Sequence, residues 1–294
     1  MSEFIGDLAK YHFLQYALAT GLLASVACGV IGGYVVTRRI TYLAGGIAHS
    51  VLAGLGAARY CRVVYQWEWF TPLLGAVISA LIAAVVIGLV SLYAREREDT
   101  VIGAVWALGM ALGVLFISRT PGYGEDLMSY LFGNILMVSP RDLRIIAALD
   151  LVVVVVVVLF YRRLLAVCFD EEFARLRGVK VEFYFLLLLC LTALGVVLLV
   201  MVVGIVMVIA LLTIPAAVAG NFTGRLSRLM MLSVFFTALF TTTGLAVSYA
   251  ADLPAGATTI MVAGAAYLFV LLSKRLLHSI KFRLAWQSKN ITLQ

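Results

Sequence analysis

Residues 183–219 read FYFLLLLCLTALGVVLLVMVVGIVMVIALLTIPAAVA, a run of 37 positions without a charged side chain. About 20 apolar residues in a helix cross a hydrocarbon core roughly 30 Å thick, so this run is too long for one ordinary span. Gly195 and Gly204 are its expected break points, and Pro215 is expected to disturb its end. Similar apolar stretches recur at 13–36, 42–60, 69–93, 100–117, 143–161, 229–250 and 257–273. A backbone exposed to lipid must satisfy its own hydrogen bonds, and nothing here alternates like a barrel strand, so every stretch is read as helix. Even the valine run 152–158, a strand former in water, is ordinary helix in lipid. Composition agrees: 64% of the 294 residues are hydrophobic and 13% charged, with a mean hydropathy of +1.08. One soluble core could not hide that much apolar surface. The expected fold is an all-α integral membrane protein, a polytopic helical bundle of eight to nine spans. With no linker or composition shift, residues 1–294 form one domain.

The net charge of +7 does not point to nucleic acid, because the basic residues fall in short clusters between apolar stretches; anchoring and orientation account for them. Arg38/Arg39, the 95–99 cluster, residues 162–180, Arg225/Arg228 and the tail from Lys274 hold most of them. With these on the cytoplasmic side, the loops at 62–68, 119–126 and 251–254 face outside. Parity then demands two crossings between Lys180 and Arg225, giving nine spans and an external N-terminus, or eight if one segment inserts only partly. Glu3 and Asp7 before Lys10 argue against a cleavable signal. Cys28, Cys61, Cys168 and Cys190 show no CxxC or Cys/His spacing and are read as packing residues. Residues 127–138 are too short to cross and are expected to form a re-entrant or interfacial helix. Residues 169–178, FDEEFARLRG, read as a short capped helix: Asp170 at the N-cap, Glu171 and Glu172 in the first turn, Phe173 on its face, Arg175 and Arg177 near the end, Gly178 as the stop. Such a helix, exposed on the cytoplasmic side, is suited to docking a partner.

No GxxxxGK[ST] segment is present, so the chain lacks the usual phosphate cradle, and no Ser/His/Asp arrangement is suggested. Of the three histidines, His12 and His278 lie at span ends. His49 lies inside an apolar stretch, in LAGGIAHS at 43–50, where a titratable group marks a transport path by default. Its neighbours Gly45, Gly46, Ala48, Ala53, Gly54 and Gly56 let helices approach closely and leave room for an ion. A histidine hydrogen-bonded between helices and a metal ligand both fit this pattern. Asp150, near the start of its stretch, is read as interfacial.

Six blocks in order carry a resemblance over nearly the whole chain: RRITYL at 38–43 leading into His49; 95–99 followed by Ile102-Gly103; DLMSYLFGNIL at 126–136; FDEEFARLRG at 169–178; LTIPAA at 212–217; and SYAADLPAG at 248–256. The chain resembles the permease subunits of bacterial ABC importers for zinc, manganese and iron, of the type II importer architecture. The resemblance implies a homodimer, or a pair of similar permeases, in the bacterial cytoplasmic (inner) membrane. It also implies ABC ATPase subunits that hydrolyse the ATP and an extracytoplasmic metal-binding protein that delivers the ion. The chain itself would then be no enzyme and hold no permanent cofactor, the divalent metal being cargo. Residues 169–178 would be the coupling helix in an ATPase groove. The family usually carries an aspartate four residues before the histidine, where this sequence has Gly45. His49 would therefore act alone in each subunit, pairing across a dimer axis, or Asp126 or Asp252 would complete the path. Imidazole suits zinc, whereas manganese favours more carboxylate oxygen, so zinc is the expected ion. A reading of another class is a secondary carrier in which Asp150 and His49 form a proton-coupled path.

Overall fold

The computed structural model describes residues 6–8, 10–93, 98–122 and 138–291. Among the described residues there is no strand. The helices are α1 (His12–Arg38), α2 (Thr41–Val64), α3 (Pro72–Tyr93), α4 (Glu98–Arg119), α5 (Pro140–Phe169), α6 (Glu171–Leu176), α7 (Val181–Val203), α8 (Ile205–Gly220), α9 (Leu226–Ala251) and α10 (Ala255–Ile291). Seven segments among the described residues are long and apolar enough to cross a membrane, against the eight or nine expected. The shortfall has two causes. The 24 residues of α2 have a span's length but include His49, Arg59 and Arg62, and the 16 of α8 reach only about 24 Å.

The break in the 37-residue run falls at Gly204, whose φ of 82° and ψ of 165° end α7 and begin α8. Gly195 does not break the helix. A Cβ there would lie 2.4 Å from Ile31 Cδ1, so that glycine serves the packing of α7 on α1. Pro215 sits inside α8 without ending it. The first turns of α7 pack Leu186 and Leu189 on Gly88, near the end of α3, while the second half of α8 packs Leu212 and Ala216 on Gly32, near the end of α1. The chain therefore reverses at Gly204, as the charge parity required.

The ends of α1, α3 and α5 lie together. Arg38, Arg39, Ser91, Leu92, Val167 and Glu171 line one cavity of ≈ 450 Å³, and Lys274 Nζ donates to the Asn221 carbonyl at 2.6 Å. This is the basic face. At the opposite ends, Tyr249 Oη donates to Asp7 Oδ2 at 2.8 Å, and Tyr65, Trp67, Trp69 and Phe70 form a chain of ring contacts with centroids 5.5–5.8 Å apart. Exposed aromatics of this kind sit at membrane interfaces.

Helix α1 packs on α5, α7, α8 and α9, and α2 packs on α3 and α4, so α7 and α8 form the seam between two groups of helices. The α2 contacts are backbone to backbone. A Cβ on Gly54 would lie 1.9 Å from the Gly75 carbonyl oxygen, and one on Gly109 2.6 Å from Ser50 Cα. Only glycine permits crossings this close.

Candidate functional site

His49 stands eight residues into α2, about 12 Å along the axis from the basic face. Its Nδ1 lies 2.8 Å from the Gly45 carbonyl oxygen. A carbonyl only accepts, so Nδ1 carries the proton and Nε2 of the neutral ring keeps a free lone pair. The imidazole stacks on Trp106 of α4, with centroids 4.0 Å apart and planes 23° apart, and Trp106 Nε1 donates to Met110 Sδ at 3.1 Å. Tyr42, two turns before His49, is 6.4 Å from the same indole. The ring is half-buried, which leaves a fixed face and an accessible edge. That arrangement holds one nitrogen ligand in place without enclosing an ion.

Of the other two candidate ligands, Asp126 lies outside the described residues, as do residues 127–137 of the expected re-entrant helix. Asp252 caps the end of α9 in a left-handed conformation (φ 53°, ψ 45°). It is exposed at the far end of the bundle, on a helix that packs against α1, α8 and α10 rather than α2. The structure does not bring it to His49 within one chain. Among the described residues no three of His, Cys, Asp and Glu converge as a metal cluster.

Asp150 is not interfacial. Because α5 begins at Pro140, the carboxylate lies three turns inside the helix, 7% exposed, where Oδ1 accepts the Ala27 backbone N–H at 2.7 Å. It ties α5 to α1, whereas the His49 ring packs on Trp106 of α4.

The 169–178 segment folds as its capping residues dictate. Asp170 Oδ1 accepts the Phe173 N–H at 2.9 Å, Glu171 and Glu172 occupy the first turn of α6 and Arg175 the last, and Gly178 follows at φ 75°. Arg175 pairs with Glu182 at 2.7 Å. Phe169, Phe173 and Leu176 are left exposed, Leu176 by 88%, an apolar patch on a charged face. One contact was not legible in the sequence: Arg38, at the end of α1, donates to both Glu171 and the Val167 carbonyl while its guanidinium lies 4.6 Å over the Phe185 ring. It therefore joins α6 to the α1–α2 corner, which is closed by Ile40 N–H to Val35 O and Arg39 N–H to Val36 O, the pairing of a Schellman motif.

A bundle of membrane-crossing helices with an imidazole inside α2 and a capped amphipathic helix at its basic end is the architecture of a multi-pass transport permease. The model of the ABC 3 transport family matches residues 10–274, and the chain belongs to that family, the permease subunits of metal ABC importers. It is a multi-pass protein of the bacterial cytoplasmic membrane. A membrane protein of Chlamydia pneumoniae named for a metal transport system is 37% identical, covering 91% of each chain. The manganese transport system membrane protein MntC of Halalkalibacterium halodurans is 35% identical over 90% of this chain and 88% of its own length. Among solved structures, PsaBC from Streptococcus pneumoniae in complex with Fab superimposes with a TM-score of 0.81 at 30% identity, over 92% of this chain and 94% of that one.

Proposed function

We propose that this chain carries a divalent transition metal inward past His49, as one half of a homodimeric permease. Two ABC ATPase subunits dock on α6, and an extracytoplasmic binding protein delivers the ion. The observation that carries the reading is the hydrogen bond from His49 Nδ1 to the Gly45 carbonyl, which aims a free Nε2 lone pair away from the helix that holds it. One fixed nitrogen binds weakly, as a transport path requires. The exposed Phe169, Phe173 and Leu176 support docking, since buried apolar anchors dominate such interfaces.

Zinc is the favoured ion, because the ligand in place is an imidazole with no carboxylate on its helical turn. Manganese is the second reading, supported by the relatives named for manganese transport. The test is uptake of zinc, manganese and iron(II) into proteoliposomes holding the full complex, wild type and His49→Gln. An amide replaces the hydrogen bond to Gly45 but is a poor substitute for imidazole at zinc. His49→Gln is expected to keep assembly and basal ATPase activity and to lose about tenfold or more of uptake, most for zinc. Wild-type uptake by the assembled variant would make His49 a packing residue and move the path to Asp126 and Asp252.

A further inference from the structure

At the basic face, the end of α5 and the start of α7 enclose a groove of ≈ 490 Å³ lined by Arg163, Arg177, Lys180, Phe183 and Tyr184 among others. Its neighbour along α5 spans residues 158–163 and adds Arg162. Among the described residues no carboxylate lines either one, and Glu182, close in sequence, is engaged by Arg175. Arg163 is fixed at the rim: it donates to Tyr184 Oη and lies 5.6 Å over that ring, while Tyr184 is itself only 6% exposed. Arg177 lies 5.0 Å over Phe173. These four cations therefore gather without neutralisation, an arrangement that calls for an anion.

The groove also opens onto an apolar surface. Leu151, Val155, Val158 and Leu159 are 63%, 45%, 70% and 71% exposed and recur at the spacing of one helix face, which runs along α5 down to Arg162 and Arg163. Phe183, 55% exposed, flanks it. We propose that this groove binds the phosphate headgroup of an anionic phospholipid, with an acyl chain lying along the α5 stripe. Cationic pockets between helices at the cytoplasmic interface are suited to such headgroups, and the stripe selects an amphiphile over a soluble anion. A second copy seated here by twofold symmetry would set like charges against each other.

The test uses the permease–ATPase complex, delipidated in detergent. Dioleoyl phosphatidylglycerol is expected to raise the melting temperature and to be retained through washing, whereas dioleoyl phosphatidylcholine and inorganic phosphate are not. Arg177→Gln with Lys180→Gln should lower phosphatidylglycerol retention about threefold or more. Arg141→Gln with Arg144→Gln, the same charge change at the other end of α5, should leave it unaltered. Equal retention of the two lipids, undiminished phosphatidylglycerol retention in the groove variant, or an effect of inorganic phosphate equal to that of lipid would each overturn the proposal. So would loss of the ATPase from the groove variant with lipid retention intact, which would make the groove a protein interface.

Discussion

At the scale of single residues, the departure at position 45 is open to a direct test. Gly45 occupies the place one turn before His49, on the same helical face, and its carbonyl rather than a side chain holds the imidazole. A Cβ there would lie 3.0 Å from Ile209 Cδ1, the free end of a flexible side chain, so Gly45→Asp should be accommodated by a rotamer change. The backbone bond to His49 would survive, and a carboxylate would be added one helical turn from the imidazole. Oxygen ligands suit manganese better than a lone imidazole does. Gly45→Asp is therefore expected to raise manganese uptake relative to zinc by about tenfold, roughly 1.4 kcal/mol of selectivity, measured as the ratio of the two rates in proteoliposomes. An unchanged ratio in a correctly assembled variant would show that this face of α2 does not line the path.

At the scale of elements, the crossing of α2 over α3 through Gly54 and Gly75 is the least forgiving contact, because each meets the other's backbone carbonyl within 2.2 Å of a notional Cβ. No rotamer relieves a clash with backbone. Gly75→Val is expected to cost at least about 1–3 kcal/mol, as overpacking does, and to appear as a lowered melting temperature and a smaller monodisperse fraction in detergent. Gly264→Val on α10, where nothing lies within 4 Å, is the control. The same elements show how far sequence reasoning reaches. Spans, the capped helix at 169–178 and the reversal before Arg225 were legible because charge parity and caps are local signals. The break at Gly204 rather than Gly195 was not, since both are glycines and only packing against Ile31 decides that Gly195 stays helical. Asp150 was misread for a related reason: its depth depends on where α5 starts, which Pro140 and the Ser139 capping box set. Trp106 under His49 left no trace in local spacing, being 57 positions away.

At the scale of the whole molecule, the proposed docking of an ATPase on α6 and passage of metal past His49 require a physical link between the two, and the structure offers a short one. Arg38 holds Glu171 of α6 and the Val167 carbonyl of α5, stacks on Phe185 of α7, and stands one residue from the left-handed corner at Arg39 (φ 60°) that leads into α2. A displacement of α6 would then reach α2 through one ion pair and a stiff helix. The guanidinium is largely shielded, its side chain 13% accessible against 44% for Glu171, so the pair is screened less than one fully in water. Glu171→Arg and Arg38→Glu are each expected to lower metal taken up per ATP hydrolysed about tenfold while basal ATPase activity and assembly persist. The double variant restores the pair with its charges reversed and should recover most of that ratio, a coupling of roughly 1–2 kcal/mol. Recovery should be incomplete, because glutamate at 38 cannot donate to Val167 or stack on Phe185. If the double variant is no better than the worse single one, Glu171 acts on the ATPase alone and the signal reaches α2 by another route. If the singles instead lose the ATPase on purification, the pair shapes the docking surface rather than transmitting its motion.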